Sequence, residues 1–375
     1  MKKFLYNLRD NDSFLGISSS MLAVIGGLLF GLIIMIISNS EQAFVAFNTI
    51  IMGPLEKSKS IGDVFYYATP IILTGLSVGF AFKTGLFNIG ATGQFTVGAY
   101  AAILVGVKLD GLPPITHISL ALLASMVAGA LWAMLPGLLK AYRNVHEVVS
   151  TIMMNYIGMY LVKYLIQITI YNQARNESLP VLSSARLPKF FLKELFGRSS
   201  INVGIFIAMI AAVVIYYILY KTTFGFELRA VGLNRNSAKY AGINENQKIV
   251  YSMMIAGALA GLGGGLVYLG GNKHIEVVAV LLAEGFDGIP VALLANSNPI
   301  GIIFSGLFIA YIKVGGFLIQ KHGFVPEIIN IIVSSIIYFS ALSLMFKNTL
   351  KNISSKRALS LMFKIVSKLA KGGAK

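Results

Sequence analysis

The chain has 375 residues, of which 56% are hydrophobic and only 12% charged, and its mean hydropathy is +0.76. Because a soluble domain carries about 25% charged residues, this composition excludes an ordinary soluble fold and predicts an all-α integral membrane protein. The net charge of +16 comes without a basic groove and interleaved aromatics, so no nucleic acid is expected as a partner, and the absence of cysteine excludes disulfides and thiolate metal sites.

Apolar stretches long enough to span a bilayer as helices recur along the chain. They predict about ten transmembrane helices, each needing about 20 apolar residues, at 20–38, 64–82, 86–107, 117–135, 148–170, 201–220, 250–270, 275–295, 299–317 and 325–346. The first stretch is too long for a signal peptide and begins too far into the chain, although Ser38-Asn39-Ser40 could imitate a cleavage site.

Lysine and arginine set the predicted orientation, because they are enriched in cytoplasmic loops. They place both termini in the cytoplasm, an inference that depends on the basic tail. The chain then divides into a cytoplasmic segment 1–19, a transmembrane domain 20–346 with a cytoplasmic loop 221–249, and a basic cytoplasmic tail 347–375. The tail could form an amphipathic helix on the lipids of the inner leaflet; a fraying tail is the alternative.

The third predicted span opens with polar residues and glycines, in GLFNIGATGQ at 85–94. Facing lipid, the unpaired amides of Asn88 and Gln94 would be costly, so we expect them to face protein or a watery cavity. Two interpretations stay open. The amides bridge helices that pack closely at Gly90 and Gly93, or they line a solute path with uncharged hydrogen-bonding groups.

The predicted span 275–295, IEVVAVLLAEGFDGIPVALLA, is interrupted midway. Asp287 is suited to cap a helix that Pro290 helps to start. A break at membrane depth needs burial in protein or a cavity, and discontinuous helices often mark transporter binding sites. The alternative is a short re-entrant helix followed by an extracellular turn. Lys163 and Lys313 lie near predicted span ends, where snorkelling explains them.

The loop 221–249 is the longest polar stretch predicted in the cytoplasm. Asn236 or Ser237 can cap a short helix that Gly242 ends in the left-handed conformation. Arg229, Arg235 and Lys239 would give this helix a positive surface that suits a soluble partner. A solvated loop without a partner is the alternative.

Sequence motifs of enzymes and motors are missing. The glycine-rich stretch GLVYLGG at 265–271 lacks the Lys-Ser/Thr of a phosphate-binding loop, and no nucleophile–base pair or dinucleotide fingerprint is recognisable. The chain is therefore predicted not to be an enzyme. His117, His146 and His322 lie near predicted span ends and suit the membrane interface better than a metal site.

Three blocks resemble one known family, the permease subunits of ABC importers in the branched-chain amino acid and simple sugar group. They are GLFNIGATGQFTVGAYAA at 85–102, VHEVVSTIMMNYI at 145–157, and a region running from ELRAVGLNRNSAKYAGI at 227–243 to GFDGIPVALLANSNPIGI at 285–302. The resemblance covers roughly 60–345 and is strongest to the nucleoside-importing branch.

The resemblance implies partners and roles. Members work in the bacterial cytoplasmic membrane with a second permease, identical or homologous, two ATPase subunits that use the ATP, and an extracellular binding lipoprotein; the permease binds no cofactor. The helix near 236–242 would be the coupling helix that docks on the ATPase. In the coupling loop the residues that match the family are Arg229, Gly232, Asn234, Ala238 and Gly242, and we add Arg235 and Lys239 to the predicted coupling residues. In the substrate path the matching residues are Asn88, Gln94, Asn155 and Asp287, and we add Thr92 and Phe286 to the predicted path residues.

One residue departs from the branch. Thr92 stands where members of the branch commonly have Glu, which removes a charge from the expected path. The expected mechanism is alternating access driven by ATP hydrolysis in the partner subunits, for a nucleoside or a related sugar-containing solute. The two alternatives are an ion-coupled secondary transporter that needs no ATPase and a membrane scaffold without transport.

Overall fold

The computed structural model describes residues 12–271, 273–325 and 327–342. Residues 1–11 and the tail 347–375 lie outside this part of the chain, so the side of the membrane on which the termini lie stays a prediction. The helices are α1 (Asp12–Ser38), α2 (Ala43–Glu56), α3 (Ser58–Lys83), α4 (Ala91–Lys108), α5 (Pro114–Arg143), α6 (Glu147–Thr169), α7 (Leu192–Phe196), α8 (Gly204–Lys221), α9 (Thr223–Leu233), α10 (Arg235–Tyr240), α11 (Glu245–Tyr268), α12 (Gly288–Leu294), α13 (Pro299–Leu318) and α14 (Glu327–Ala341). One two-stranded hairpin, β1 (Tyr171–Asn172) and β2 (Glu177–Ser178), precedes α7.

Seven helices within the described residues are long and apolar enough to cross a membrane, namely α1, α3, α5, α6, α8, α11 and α13. They correspond to seven of the predicted spans. The predicted spans 86–107 and 325–346 contain the shorter helices α4 and α14, and α2 is a helix that was not predicted. The chain is thus a helical multi-pass membrane protein, whereas the count of ten spans is not confirmed.

The predicted span 275–295 is wrong as a membrane-crossing helix. Residues 275–282 have no helix, a 3-10 turn follows at Ala283–Gly285, and only α12 is helical. The extended part pairs with the β2 hairpin, since Ser178 N donates to Ile275 O at 2.9 Å. Thr74 Oγ1 on α3 donates to Glu284 O at 3.3 Å. Backbone groups bonded to neighbouring protein do not require a helix, which is why the interruption that the sequence indicated is tolerated.

By compactness the structure divides into two units. In one unit α1 packs against α14, with Gly27 against Ile336 and Gly31 against Ile332. The other unit comprises residues 45–325 and contains every predicted coupling-loop and substrate-path residue.

Close helix packing organises the larger unit. On α5 and α11, a Cβ added to Gly129 or Gly257 would overlap the carbonyl oxygen of the other glycine. Small residues of this kind let membrane helices approach until their backbones touch. Most of the apolar length of α3 and α11 is buried, whereas most of α5 is not. The centre of this unit is therefore formed by α3 and α11, which α4 also contacts.

Candidate functional site

The side-chain amides of Asn88 and Gln94 bond to each other at the start of α4. Asn88 precedes the helix, and Gln94 lies in its first turn. Asn88 Nδ2 donates to Gln94 Oε1 at 2.9 Å, and Gln94 Nε2 donates back to Asn88 Oδ1 at 3.1 Å. Asn88 Oδ1 also accepts from Gly90 N at 3.1 Å. The polar opening of the predicted third span thus lies mostly outside the helix, because α4 begins only at Ala91.

Asn155 fastens α6 to the start of α4. Its Oδ1 accepts from Gly93 N at 2.8 Å, and its Nδ2 donates to Ile89 O at 3.0 Å. The first turn of a helix leaves N–H groups without an intrahelical partner. The side chain of Asn155 therefore caps α4 from a neighbouring helix.

These amides are closed off in this conformation. Asn88, Gln94 and Asn155 are at most 1% exposed, and each is hydrogen-bonded within the protein. The geometry matches the interpretation in which they bridge packed helices. We call these three side chains and their hydrogen bonds the amide network. A solute could contact the side chains only if the amide network opened, so their role in the substrate path stays a prediction.

Thr92 connects the amide network to the interrupted segment. Thr92 is fully buried, and its hydroxyl has no hydrogen-bond partner among the described residues. A Cβ added to Gly285 would overlap Thr92 Cα and Oγ1, so the turn at 283–285 lies directly on α4. A larger residue at either position would push the two segments apart.

Asp287 immediately precedes α12, at the position of the N-cap, but its side chain does not cap the helix. It forms an ion pair with Lys313 on α13 instead, and the two side chains are 14% and 17% exposed. The predicted capping role is therefore wrong, and so is snorkelling for Lys313. Phe286, the adjacent predicted path residue, is half-buried.

A cavity of about 500 Å³ lies between α4, α6, α11 and the segment 273–284; we call it the outer cavity because it lies on the side predicted to be extracellular. Its apolar lining includes Met159, Val162, Ile275, Val278, Val280 and Leu282. Its polar lining includes Thr96, Lys163, Lys273, His274, Glu276 and Glu284. Lys163, which the sequence placed at a membrane interface, thus reaches this cavity.

A half-buried ion pair lies in the lining of the outer cavity. Lys273 Nζ lies 2.6 Å from Glu284 Oε1. Burial alone would lower the pKa of Lys273, but the Glu284 carboxylate outweighs this effect and raises the pKa above its ordinary value. Lys273 is therefore positively charged throughout the physiological pH range. Sequence analysis missed this pair because the two residues are separated by an apolar run.

The predicted coupling helix is present as α10, capped by Asn234, whose Oδ1 accepts from Ser237 N at 3.0 Å. The sequence predicted the cap at Asn236 or Ser237, which lie two or three residues beyond the observed cap. Gly242 has φ +80° and ends the helix in the left-handed conformation, as predicted.

Most of the motif residues in the loop 221–249 make contacts within the protein and so stabilise the conformation of the loop. Arg235 donates to Asn246 Oδ1 at 2.8 Å, and Ala238 is buried in a cluster with α5 and α11. A Cβ on Gly232 would overlap Lys83 O, so the loop lies against the turn that leads to the amide network. Arg229 stacks 5.0 Å from the ring centroid of Tyr220. Their arrangement holds α10 in a defined place.

Other side chains of the loop point into the solvent. Leu233 is 88% exposed and Tyr240 95% exposed, and Lys239 is also exposed. These large side chains lie outside the predicted spans and are available for contact with a partner protein. Neither Leu233 nor Tyr240 was singled out from the sequence, although apolar residues in a polar loop were the available signal. We call Leu233, Lys239 and Tyr240 the docking surface.

Among the residues that the structure describes, no three histidine, aspartate or glutamate side chains lie close enough together to hold a metal ion. The arrangement supplies three features: the closed amide network, the outer cavity with its ion pair, and the docking surface.

Comparison with known proteins finds similar permease proteins in other organisms. The chain is 38% identical to the guanosine ABC transporter permease protein NupP of Bacillus subtilis, over 90% of this chain and 97% of that protein. It is 32% identical to the nucleoside ABC transporter permease protein NupB of Lactococcus lactis, over 90% and 94% of the two chains. It is 30% identical to a glucose ABC transporter permease protein of Haloferax volcanii, over 90% of each chain. No solved structure matches.

A family model matches residues 60–344, which include all but the first two residues of α3, the helices α4 to α14, the outer cavity and the docking surface. This match covers well over half of the chain. The protein therefore belongs to the family described as the permease component of the branched-chain amino acid transport system.

Proposed function

We propose that this chain is one of two permease subunits of an ATP-driven importer for nucleosides in a bacterial cytoplasmic membrane. The observation that carries the proposal is the similarity to NupP along nearly the whole of both chains, together with a cavity whose lining suits an uncharged polar solute. Family membership leaves neither the ion-coupled secondary transporter nor the scaffold with support. It also makes the chain a transport subunit and not an enzyme.

The docking surface and the relatives support the proposed partner subunits. An ATPase subunit would cover Leu233 and Tyr240, and an extracellular lipoprotein would deliver the solute. The permease NupQ of Bacillus subtilis is also similar to this chain, at 26% identity. Two different guanosine permease proteins in one organism favour pairing with a homologous permease over pairing with a second copy. ATP would be bound by the ATPase subunits alone.

Import would proceed by alternating access. Closure of the ATPases on ATP would move α10, and Gly232 would transmit this movement to the turn at 83–85 that precedes Asn88. The start of α4 and the segment 283–287 would then shift together, since Thr92 and Gly285 are in contact. In this mechanism the amide network is a joint that opens transiently.

The test is uptake by the complete complex. The chain is reconstituted in liposomes with its ATPase, second permease and binding lipoprotein, and uptake of radiolabelled guanosine, glucose and leucine is measured with and without ATP. We expect ATP-dependent accumulation of guanosine in excess of both competitors. Accumulation of glucose instead would favour the sugar importer that the Haloferax volcanii relative suggests, and accumulation without ATP would contradict the mechanism.

A further inference from the structure

The outer cavity has the size and the mixed lining of a ligand site. Its volume of about 500 Å³ falls within the range of roughly 300–1,000 Å³ that is usual for small-molecule pockets. The lining combines apolar side chains, among them Met159, Val162 and Leu282, with polar ones that include Lys273 and Glu284. A solute that fits must combine apolar surface with hydrogen-bonding groups.

The polar groups of the cavity are held in place by the surrounding structure. Glu284 is fixed through its carbonyl to Thr74 Oγ1 and through its carboxylate to Lys273 Nζ. Ile275 is held by Ser178, whose side-chain Oγ accepts from Ile275 N at 3.2 Å. Groups fixed before a ligand arrives lose little conformational freedom on binding, which favours a specific site.

The charged residues in the lining of the outer cavity restrict the class of solute that can bind there. The lining contains two lysines, Lys163 and Lys273, and three glutamates, Glu177, Glu276 and Glu284. The excess of carboxylates disfavours a phosphate group, which would bring two further negative charges into a half-enclosed space. A neutral nucleoside adds no net charge, and it offers ring faces for the apolar side chains of the lining and N–H and O–H donors for a carboxylate.

We propose that the outer cavity is a nucleoside-binding station within this chain, where Glu284 accepts hydrogen bonds from the donor groups of the base or ribose and Lys273 orients that carboxylate. The station excludes nucleotides. This proposal rests on the proposed function, because the solute class depends on nucleoside import. It adds a binding site on the outer side of the amide network, lined by residues that sequence analysis did not select.

Protection from a thiol reagent tests the proposal directly. The chain contains no cysteine, so a single cysteine reports on one position. Val280→Cys places the probe on the cavity lining, where Val280 is 67% exposed. Leu195→Cys is the matched control, because Leu195 is 59% exposed on α7 and does not line the cavity. Labelling by a membrane-impermeant maleimide is timed in the reconstituted complex with guanosine, guanosine monophosphate or no addition.

We expect guanosine to slow labelling at V280C at least five-fold and to leave L195C unchanged, with no effect of the monophosphate at either position. Adding Glu284→Gln to V280C should raise the guanosine concentration that gives half-protection about ten-fold, because the variant loses a hydrogen bond to a charged group. Glu194→Gln, on the exposed outer face of α7, is the control for that change and should leave half-protection unaltered.

The outcomes separate the two proposals. If the complex imports guanosine but V280C is never protected, the outer cavity is not the station and the proposed function stands. If the complex imports no nucleoside, both proposals fail. Equal protection by guanosine and its monophosphate would overturn the charge argument and with it the assigned selectivity.

Discussion

The ion pair between Asp287 and Lys313 should be the largest single electrostatic contribution to the position of α12. Replacing Lys313 with Met leaves the Asp287 carboxylate inside the protein without its partner. Loss of one member of a buried pair costs about 3–5 kcal/mol. The side chains are 14% and 17% exposed, so water screens part of this cost, and we expect the low end, about 3 kcal/mol of unfolding free energy.

A double-mutant cycle separates this cost from changes in packing. Replacing both partners, Asp287→Asn with Lys313→Met, removes both charges and should recover all but about 1 kcal/mol of the loss. Unfolding of the purified chain in mixed micelles, titrated with SDS and followed by circular dichroism, gives the free energies.

A surface pair supplies the control. Arg175 Nη1 lies 3.7 Å from Glu177 Oε1, and Arg175 is 73% exposed. Arg175→Met should therefore cost less than about 1 kcal/mol. If Lys313→Met costs no more than Arg175→Met, or if the double variant loses the sum of both single changes, the pair does not stabilise α12 and our reasoning about it is refuted.

Three further changes address the remaining features. Tyr240→Ala should weaken co-purification of the ATPase subunit roughly thirty-fold, the effect of removing an interface anchor worth about 2 kcal/mol, while Asn236→Ala on the same helix should not; equal effects would contradict the docking surface. Asn155→Leu should lower the unfolding free energy by about 1–3 kcal/mol, because it leaves Gly93 N and Ile89 O without partners; an unchanged value in the SDS titration would contradict the capping role. Gly285→Ala should reduce ATP-driven uptake to a small fraction of wild type without altering ATPase binding, because the methyl group overlaps Thr92; normal uptake would argue against a tight contact there.

The helices and the family could be predicted from the chain because they depend on local patterns. Apolar length predicted the seven membrane-crossing helices, and the left-handed residue Gly242 predicted where α10 ends. The interruption at 284–288 could be predicted, because charged residues and glycines cluster there inside an apolar run. The extended conformation of residues 275–282 could not be predicted. These residues pair with the β2 hairpin, and pairing between distant segments leaves no periodic signal in the sequence.

What the sequence by itself determined was a helical membrane protein of a permease family, since composition and motif residues are properties of neighbouring positions. Only the tertiary structure decided that Asn88 bonds to Gln94 while Asn155 caps α4, that Asp287 pairs with Lys313, and that Lys273 and Glu284 form an ion pair in the lining of a cavity. Each of these contacts depends on which faces of several helices meet. Close packing at small residues determines which helix faces meet. The energy of a polar group in a membrane then depends on the partner that this packing places beside it.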